Sequence, residues 1–339
     1  MAAIPVNNPP VIFLMGATAC GKTALSLSLA QALNAEIISV DSALVYRGLD
    51  VGTAKPSRQE LATVPHHLID ICDPWEVYSA ARFCHDALQI IEAIQRRGKR
   101  VLMVGGTMLY FKALEEGLAK LPDADNAVRG KLLQEAERLG WDGMHAQLQL
   151  VDPEAAARIH PNDPQRIQRA LEVYRISGQP MSQLQADTRS LLEVPPIKFA
   201  LVPGDRQWLH ERIKTRFDMM ITSGFIDEMH ALRENALIHA ELPAMRSVGY
   251  RQAWEHLELL AVNGASVENV DAGLWIDKAV AATRQLAKRQ LTWIRGMKEV
   301  NTIACDTMSQ VSQEEFVLSV LQHCKAVKDD SAGNMEKNK

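Results

Sequence analysis

Gly16-Ala17-Thr18-Ala19-Cys20-Gly21-Lys22-Thr23 follows the apolar run Val11-Ile12-Phe13-Leu14-Met15 and precedes a stretch, Thr23 to Leu33, with apolar residues at helical spacing. The run reads as a strand buried on both faces of a parallel sheet, which makes the octet a strand-to-helix loop of the form G-x-x-x-x-G-K-[ST]. Glycines let backbone N–H groups turn inward, and the start of the following helix adds free N–H groups and a partial positive charge. A di- or triphosphate is the natural guest of such a loop. Lys22 would neutralise phosphate oxygens, and the Thr23 hydroxyl would ligate Mg²⁺.

Working outward, Glu36-Ile37-Ile38-Ser39-Val40 is a second short strand ending at Asp41-Ser42. Ligands of open α/β sheets gather beyond the carboxyl ends of strands, so Asp41 is a site candidate by position. The loop Ala43 to Pro56, with Gly48, Gly52, Thr53 and Lys55, is long and polar enough to meet a substrate. His66 to Ile71 reads as another strand. Adjacent histidines on a strand point to opposite faces, so His66 and His67 are structural or surface residues rather than a metal pair. Ser79 to Arg97 is a helix closed by Gly98, and Arg100 to Val104 is a strand leading into Gly105-Gly106-Thr107. Two glycines there admit either a ligand close to the backbone or a tight strand-to-helix turn.

The pattern then changes. From Gly117 to Pro196 helical segments are punctuated by Pro122, Gly140, Pro153, Pro161, Pro164, Gly178 and Pro180, and no strand is evident. Asp163 suits an N-cap and Pro164 the first helical turn, which puts Arg166 and Arg169 on one face, spaced to hold a phosphate. Strand character returns at Phe199-Ala200-Leu201-Val202. A helix from Asp205 to Thr222 carries Arg212 and Arg216 one turn apart, Arg246 to Arg251 is a loop or helix start, Trp275 to Met297 is one long helix, and Val300 to Ala304 is a last edge strand. The expected organisation is an α/β fold, a P-loop NTPase-like parallel sheet core with an all-helical insertion domain. Residues 1–116 form the first part of the core, 117–196 the insertion, 197–328 the second part, and 329–339 a disordered tail.

The 339 residues are 47% hydrophobic and 23% charged, as in an ordinary globular protein, and no apolar run approaches membrane-spanning length. Five scattered cysteines, without metal-site spacing, suit reduced thiols in the cytoplasm. The net charge of −4 conceals a basic segment: between Trp275 and Lys298, six basic residues face one acid. That segment, and the set Arg158, Arg166, Arg169 and Arg175, read equally as solvated helix faces or as contacts for phosphates.

Taken together, the motifs resemble those of bacterial tRNA dimethylallyltransferases from about Val11 to Arg295. The specific matches are Ile38 to Ser42, Val51 to Pro56, Val104 to Thr107, His160 to Arg166, Ser247 to Arg251 and Thr283 to Gln290. Two departures fall in the loop, Ala17 where the family usually has Pro and Cys20 where it usually has Ser. Neither should abolish binding, because backbone N–H groups make most phosphate contacts. The zinc-finger tail of eukaryotic members is absent, as expected of a bacterial chain.

The resemblance implies transfer of a dimethylallyl group from dimethylallyl diphosphate to N6 of the adenosine 3′ of the anticodon, with Mg²⁺ as cofactor. It makes Asp41 the base, Thr107 the threonine that steadies the adenine, and Arg216 an arginine that reaches the diphosphate. Contacts with the tRNA anticodon stem-loop would fall on Asp41, Ser42, Ala43, Leu44 and Thr107; on Arg129 and Gln165, Arg166, Ile167, Gln168 and Arg169 in the insertion; on Arg246, Ser247, Val248, Gly249, Tyr250 and Arg251; and on Arg284, Lys288 and Arg289. A cytoplasmic monomer is expected. A small-metabolite P-loop kinase, with Asp41 on magnesium, and a non-catalytic nucleotide-switched RNA binder each account for part of this pattern, but neither for all of it.

Overall fold

The computed structural model describes residues 8–186, 188–263, 272–309, 312–313, 315–320 and 322, so the expected tail at 329–339 lies outside the described residues. The chain divides into two units, one running to Lys112 and resuming at Leu192, the other Ala113–Leu191.

The first unit opens with β1 (Ile12–Gly16), α1 (Lys22–Leu33), β2 (Ala35–Val40), α2 (Arg58–Thr63), β3 (His66–His67), α3 (Ala80–Arg96), β4 (Arg100–Gly105) and the start of α4 (Met108–Glu116). β1 is an unbroken apolar run and β2 and β4 are mainly apolar, because helices cover both faces of a parallel sheet. All of β1 and all of β2 are buried. Phe13 of β1 packs on Phe111 of α4 with ring centroids 4.8 Å apart. Ser79 caps α3 by accepting the Arg82 N–H, and the helix buries Phe83, Cys84, Ala87, Ile91 and Ile94. The strand expected from His66 to Ile71 stops after two residues. Leu68 and Asp70 take left-handed backbone conformations, φ 62° and 56°, which no strand accommodates.

The second unit contains α5 (Asn126–Val151), α6 (Pro153–Arg158), α7 (Pro164–Ser177) and α8 (Met181–Ala186), with no strand among its described residues. It starts shortly before Gly117 and stops short of Pro196. Gly140, at φ 70°, interrupts α5, and α7 has Asp163 as N-cap, Pro164 in its first turn and left-handed Gly178 as its C-cap. Leu132, Met144, Leu148, Ala155, Ile167 and Leu171 are among the residues of its core.

The first unit then continues with β5 (Ile197–Val202), α9 (Arg206–Thr222), α10 (Phe225–Glu234), α11 (Tyr250–Asn263), α12 (Ala272–Gly296) and β6 (Val300–Ala304). The strands lie in the order β3-β2-β4-β1-β5-β6, every pairing parallel. Gly105 of β4 is in register with Val40 of β2 on one side and Met15 of β1 on the other. The carboxyl ends of β2, β4 and β1 are therefore neighbours. The chain leaves β1 toward β2 on one side and later adds β5 on the other, which is the switch point where open α/β sheets bind ligands.

At the opposite end of β2, Glu36 is buried between two cations, Arg97 at 2.6 Å and Lys99 at 3.1 Å, with the His67 ring at 2.7 Å. Burial alone raises its pKa, but hydrogen bonds from Arg97, His67 and Lys99 outweigh it and hold the carboxyl at about 2. A depressed folded-state pKa stabilises above the ordinary carboxyl value and loses that stabilisation as the pH falls through it. Glu36→Gln should therefore lower stability by about 1–3 kcal/mol near neutral pH, discounted for the half-exposed Arg97. In urea melts the gap to wild type should narrow as the pH is lowered toward about 3. A gap independent of pH would exclude the ion cluster as its source.

Candidate active site

The loop between β1 and α1 is held from three directions. Inside it, the Lys22 ammonium donates to the carbonyls of Gly16 at 2.9 Å and Ala17 at 2.8 Å. From α9, Arg212 Nε donates to the Ala19 carbonyl at 2.8 Å, its guanidinium lying 4.8 Å over the Trp208 ring. From α12, Gln290 Oε1 accepts the Thr18 N–H at 2.9 Å. Ala19 and Gly21 are left-handed, φ 64° and 87°. Gly21 adopts this geometry without cost, while a non-glycine residue there stores about 1 kcal/mol. Helix α1 starts with no side-chain cap and no acid in its first turn, so its first N–H groups and dipole are left for an anion. Thr23 stands exposed in that turn.

Asp41 and Thr107 follow the neighbouring strand ends. Asp41 Oδ1 accepts the N–H groups of Ala43 at 2.8 Å and Leu44 at 3.3 Å. Its Oδ2 has no hydrogen-bond partner among the described residues. Thr107 donates its N–H to the Val40 carbonyl, and its hydroxyl accepts the Ser42 N–H at 3.1 Å. The hydroxyl is thereby tied to the residue after Asp41.

Arg216 Nη2 donates to the Thr53 carbonyl at 3.0 Å. The loop carrying Thr53 is itself fixed by Glu228 of α10, whose carboxylate accepts the N–H groups of Asp50, Val51 and Gly52 at 2.8, 2.6 and 3.2 Å. Lys55 ties the same loop to Asp50 and Asp70. Burial lowers the Lys22 pKa to about 8, the charge of Arg216 lowering it further while Cys20 and Asp41 oppose. Arg216 is likewise shifted down by burial, with Asp41 opposing. Lys22, Arg216 and Asp41 thus share one electrostatic field. The Cys20 thiol is in hydrogen-bond contact with Cys305, which draws its pKa down.

The residues matched to RNA contact divide by what they already hold. In the second unit Arg129 and Arg169 both bind the fully buried Glu172, at 2.8 and 2.7 Å, while Arg166 pairs with Asp163. Gln165 and Arg166 are exposed, Gln168 donates to the Arg129 carbonyl, and Ile167 lies in the core. Arg246 and Arg251 are exposed and pair with Glu241 and Glu255. Ser247 and Val248 are half-buried and Gly249 buried. Tyr250 is buried, its hydroxyl on Glu228. The side chains of Ile167 and Tyr250 are therefore framework, not surface offered to RNA. On α12, Lys288 and Arg289 are exposed without an ion-pair partner among the described residues, and Arg284 Nε is buried without a hydrogen bond. Sequence reading missed Glu228, Cys305 and the role of Gln290, although Gln290 closes a quoted motif.

With that geometry in place, comparison with known proteins is specific. The IPP transferase family model matches residues 44–297. In structure the chain is similar to the tRNA isopentenylpyrophosphate transferase of Bacillus halodurans, at 33% identity and TM-score 0.68, over 96% of this chain and 99% of that one. It is similar to the tRNA delta(2)-isopentenylpyrophosphate transferase of Staphylococcus epidermidis, at 31% identity and TM-score 0.63, over 93% and 99%. A eukaryotic dimethylallyltransferase acting on tRNA matches at 28% identity and TM-score 0.72, over 96% of this chain and 79% of that one. The family model begins just after the Asp41-Ser42 strand end, and the structural matches extend the likeness over nearly the whole chain; the chain belongs to the IPP transferase family.

Proposed function

We propose that this tRNA-prenylating enzyme takes a dimethylallyl group from dimethylallyl diphosphate and delivers it to N6 of the adenosine 3′ of the anticodon, position 37 of the tRNA, releasing diphosphate. The observation that carries the reading is the convergence at three adjacent strand ends of an anion loop, a carboxylate with a spare oxygen and a hydroxyl. An exocyclic adenine amine is a poor nucleophile, so the barrier must fall mainly by helping diphosphate leave an allylic carbon that tolerates positive charge. Preorganised donors aimed at that leaving group do this. The α1 N-terminus, Lys22 and Arg216 supply them.

As N6 bonds to carbon, its protons become acidic. Asp41 Oδ2 would accept one, while Oδ1 stays fixed by Ala43 and Leu44. Thr107, held beside Ser42, would steady the adenine. Reaching N6 requires the base to leave its stack, which costs less in a loop than in a duplex. The unpaired cations of α12 suit the RNA phosphates, and the enzyme would act as a cytoplasmic monomer.

Mg²⁺ fits this donor set. Thr23 offers a hard hydroxyl oxygen, and no group of three or more His, Cys, Asp or Glu among the described residues is arranged to hold a metal. Diphosphate and water would complete the shell, as suits this ion. When bound it would add charge neutralisation to the leaving group.

Unmodified bacterial tRNA incubated with the protein, Mg²⁺ and dimethylallyl diphosphate should yield adenosine with a prenyl mass by mass spectrometry, and none with ATP as donor. ATP consumption without prenyl product would overturn the reading. Because Lys22 titrates near 8 and binds an anion as the cation, the Kd for pyrophosphate should rise about tenfold between about pH 7 and 9. Lys22→Met should bind weakly and without that pH dependence; an unchanged profile would remove Lys22 from the phosphate site. Asp41→Asn keeps the acceptor for Ala43 and Leu44 but cannot take a proton. Turnover should fall by about 10²–10⁴-fold with tRNA affinity little changed. Equal loss of both would deny Asp41 the role of base.

A further inference from the structure

Gln290 touches two chain segments that the proposed reaction uses for different substrates. Its Oε1 accepts the N–H of Thr18 in the phosphate loop, and its Nε2 donates to the carbonyl of Gly106, the residue before Thr107, each at 2.9 Å. One contact is a backbone donor and the other a backbone acceptor, so the orientation of the amide is fixed by its partners. No other side-chain type of that length supplies both ends. Gly106 is shaped to this contact: a Cβ there would lie 2.4 Å from Gln290 Nε2. The Thr18 N–H, committed to Gln290, is also withheld from the anion.

We infer that Gln290 is a positioning residue that sets the distance between donor and acceptor, by bridging the diphosphate loop to the strand end that carries Thr107. The inference rests on the donor and acceptor assignments proposed above. Without the bridge each half still binds its substrate, but the allylic carbon and N6 are no longer held at one separation. A misplacement of about 1 Å can cost about 10²-fold in rate. Loss of the bridge therefore appears in kcat rather than in binding. Gln290 also belongs to the helix of Arg284, Lys288 and Arg289, so an RNA seated on those cations is registered to the same bridge.

The bridge can be broken from either side. Gln290→Met keeps length without hydrogen bonds, and Gly106→Ala displaces the amide without altering α12. Single-turnover prenylation of tRNA, with pyrophosphate and tRNA binding measured in parallel, should show kcat down about tenfold or more in each variant. Pyrophosphate and tRNA Kd should stay within about threefold, and the double variant should be no worse than the poorer single one. Unchanged kcat in either single variant, multiplied losses in the double, or pyrophosphate affinity falling in step with kcat would overturn the inference. That last result would make Gln290 a prop for the loop's shape. Wild type is the control for the underlying reading, since absence of product from it would discard the donor assignment, whereas normal wild-type turnover alongside unaffected variants would discard only the bridge.

Discussion

A half-buried ammonium at the end of the central strand is the constraint around which the rest is arranged. Lys22 is held by two carbonyls of its own loop, and burial draws its pKa down to about 8, still mostly charged at neutral pH. Arg212 and Arg216 reach the same region from α9, one onto the loop backbone and one onto the Thr53 carbonyl. Asp41 is the carboxylate that opposes the downward shifts of Lys22 and Arg216. Cations gathered this way repel one another unless an anion lies among them, so the site is preorganised for negative charge.

The same residue type serves opposite purposes elsewhere. In the second unit two arginines close on Glu172, which is fully buried and ionised because Arg169, Arg129 and the Asp125 N–H outweigh the cost of burial. Removing that carboxylate would leave two arginines without the partner that holds them, so much of their charge is structural. On α12 the exposed Lys288 and Arg289 have no such partner among the described residues. Net charge cannot distinguish the two cases, but the partner of each guanidinium can.

What was legible follows from this physics. Strands covered on both faces print as mainly apolar runs, so β1, β2, β4 and β5 could be read directly, as could helix ends marked by Ser79, Asp163-Pro164 and Gly178. Asp41 and Thr107 were legible by position, because strand ends of a parallel sheet converge. Glu228, Gln290 and Cys305 were not. Each reaches a site segment across 176 or more residues through a side chain, an interaction that leaves no periodicity. Ile167 and Tyr250 show the converse limit: a motif contains the residues that hold a surface in place alongside those that form it.

The two departures within the loop become intelligible in the same terms. Ala17 and Cys20 are buried at 0% and 3% exposure, so their side chains face the protein and not an anion. Cys20 meets Cys305 just beyond β6, which makes its identity a matter of packing between loop and edge strand. A backbone cradle for an anion works only if its orientation is imposed from outside. Ala19 is kept left-handed while Arg212 grips its carbonyl, Gln290 takes the Thr18 N–H, and Lys22 draws the first two carbonyls together. With those groups committed to these contacts, the N–H groups at the start of α1, which has no side-chain cap, are the ones left open to an anion.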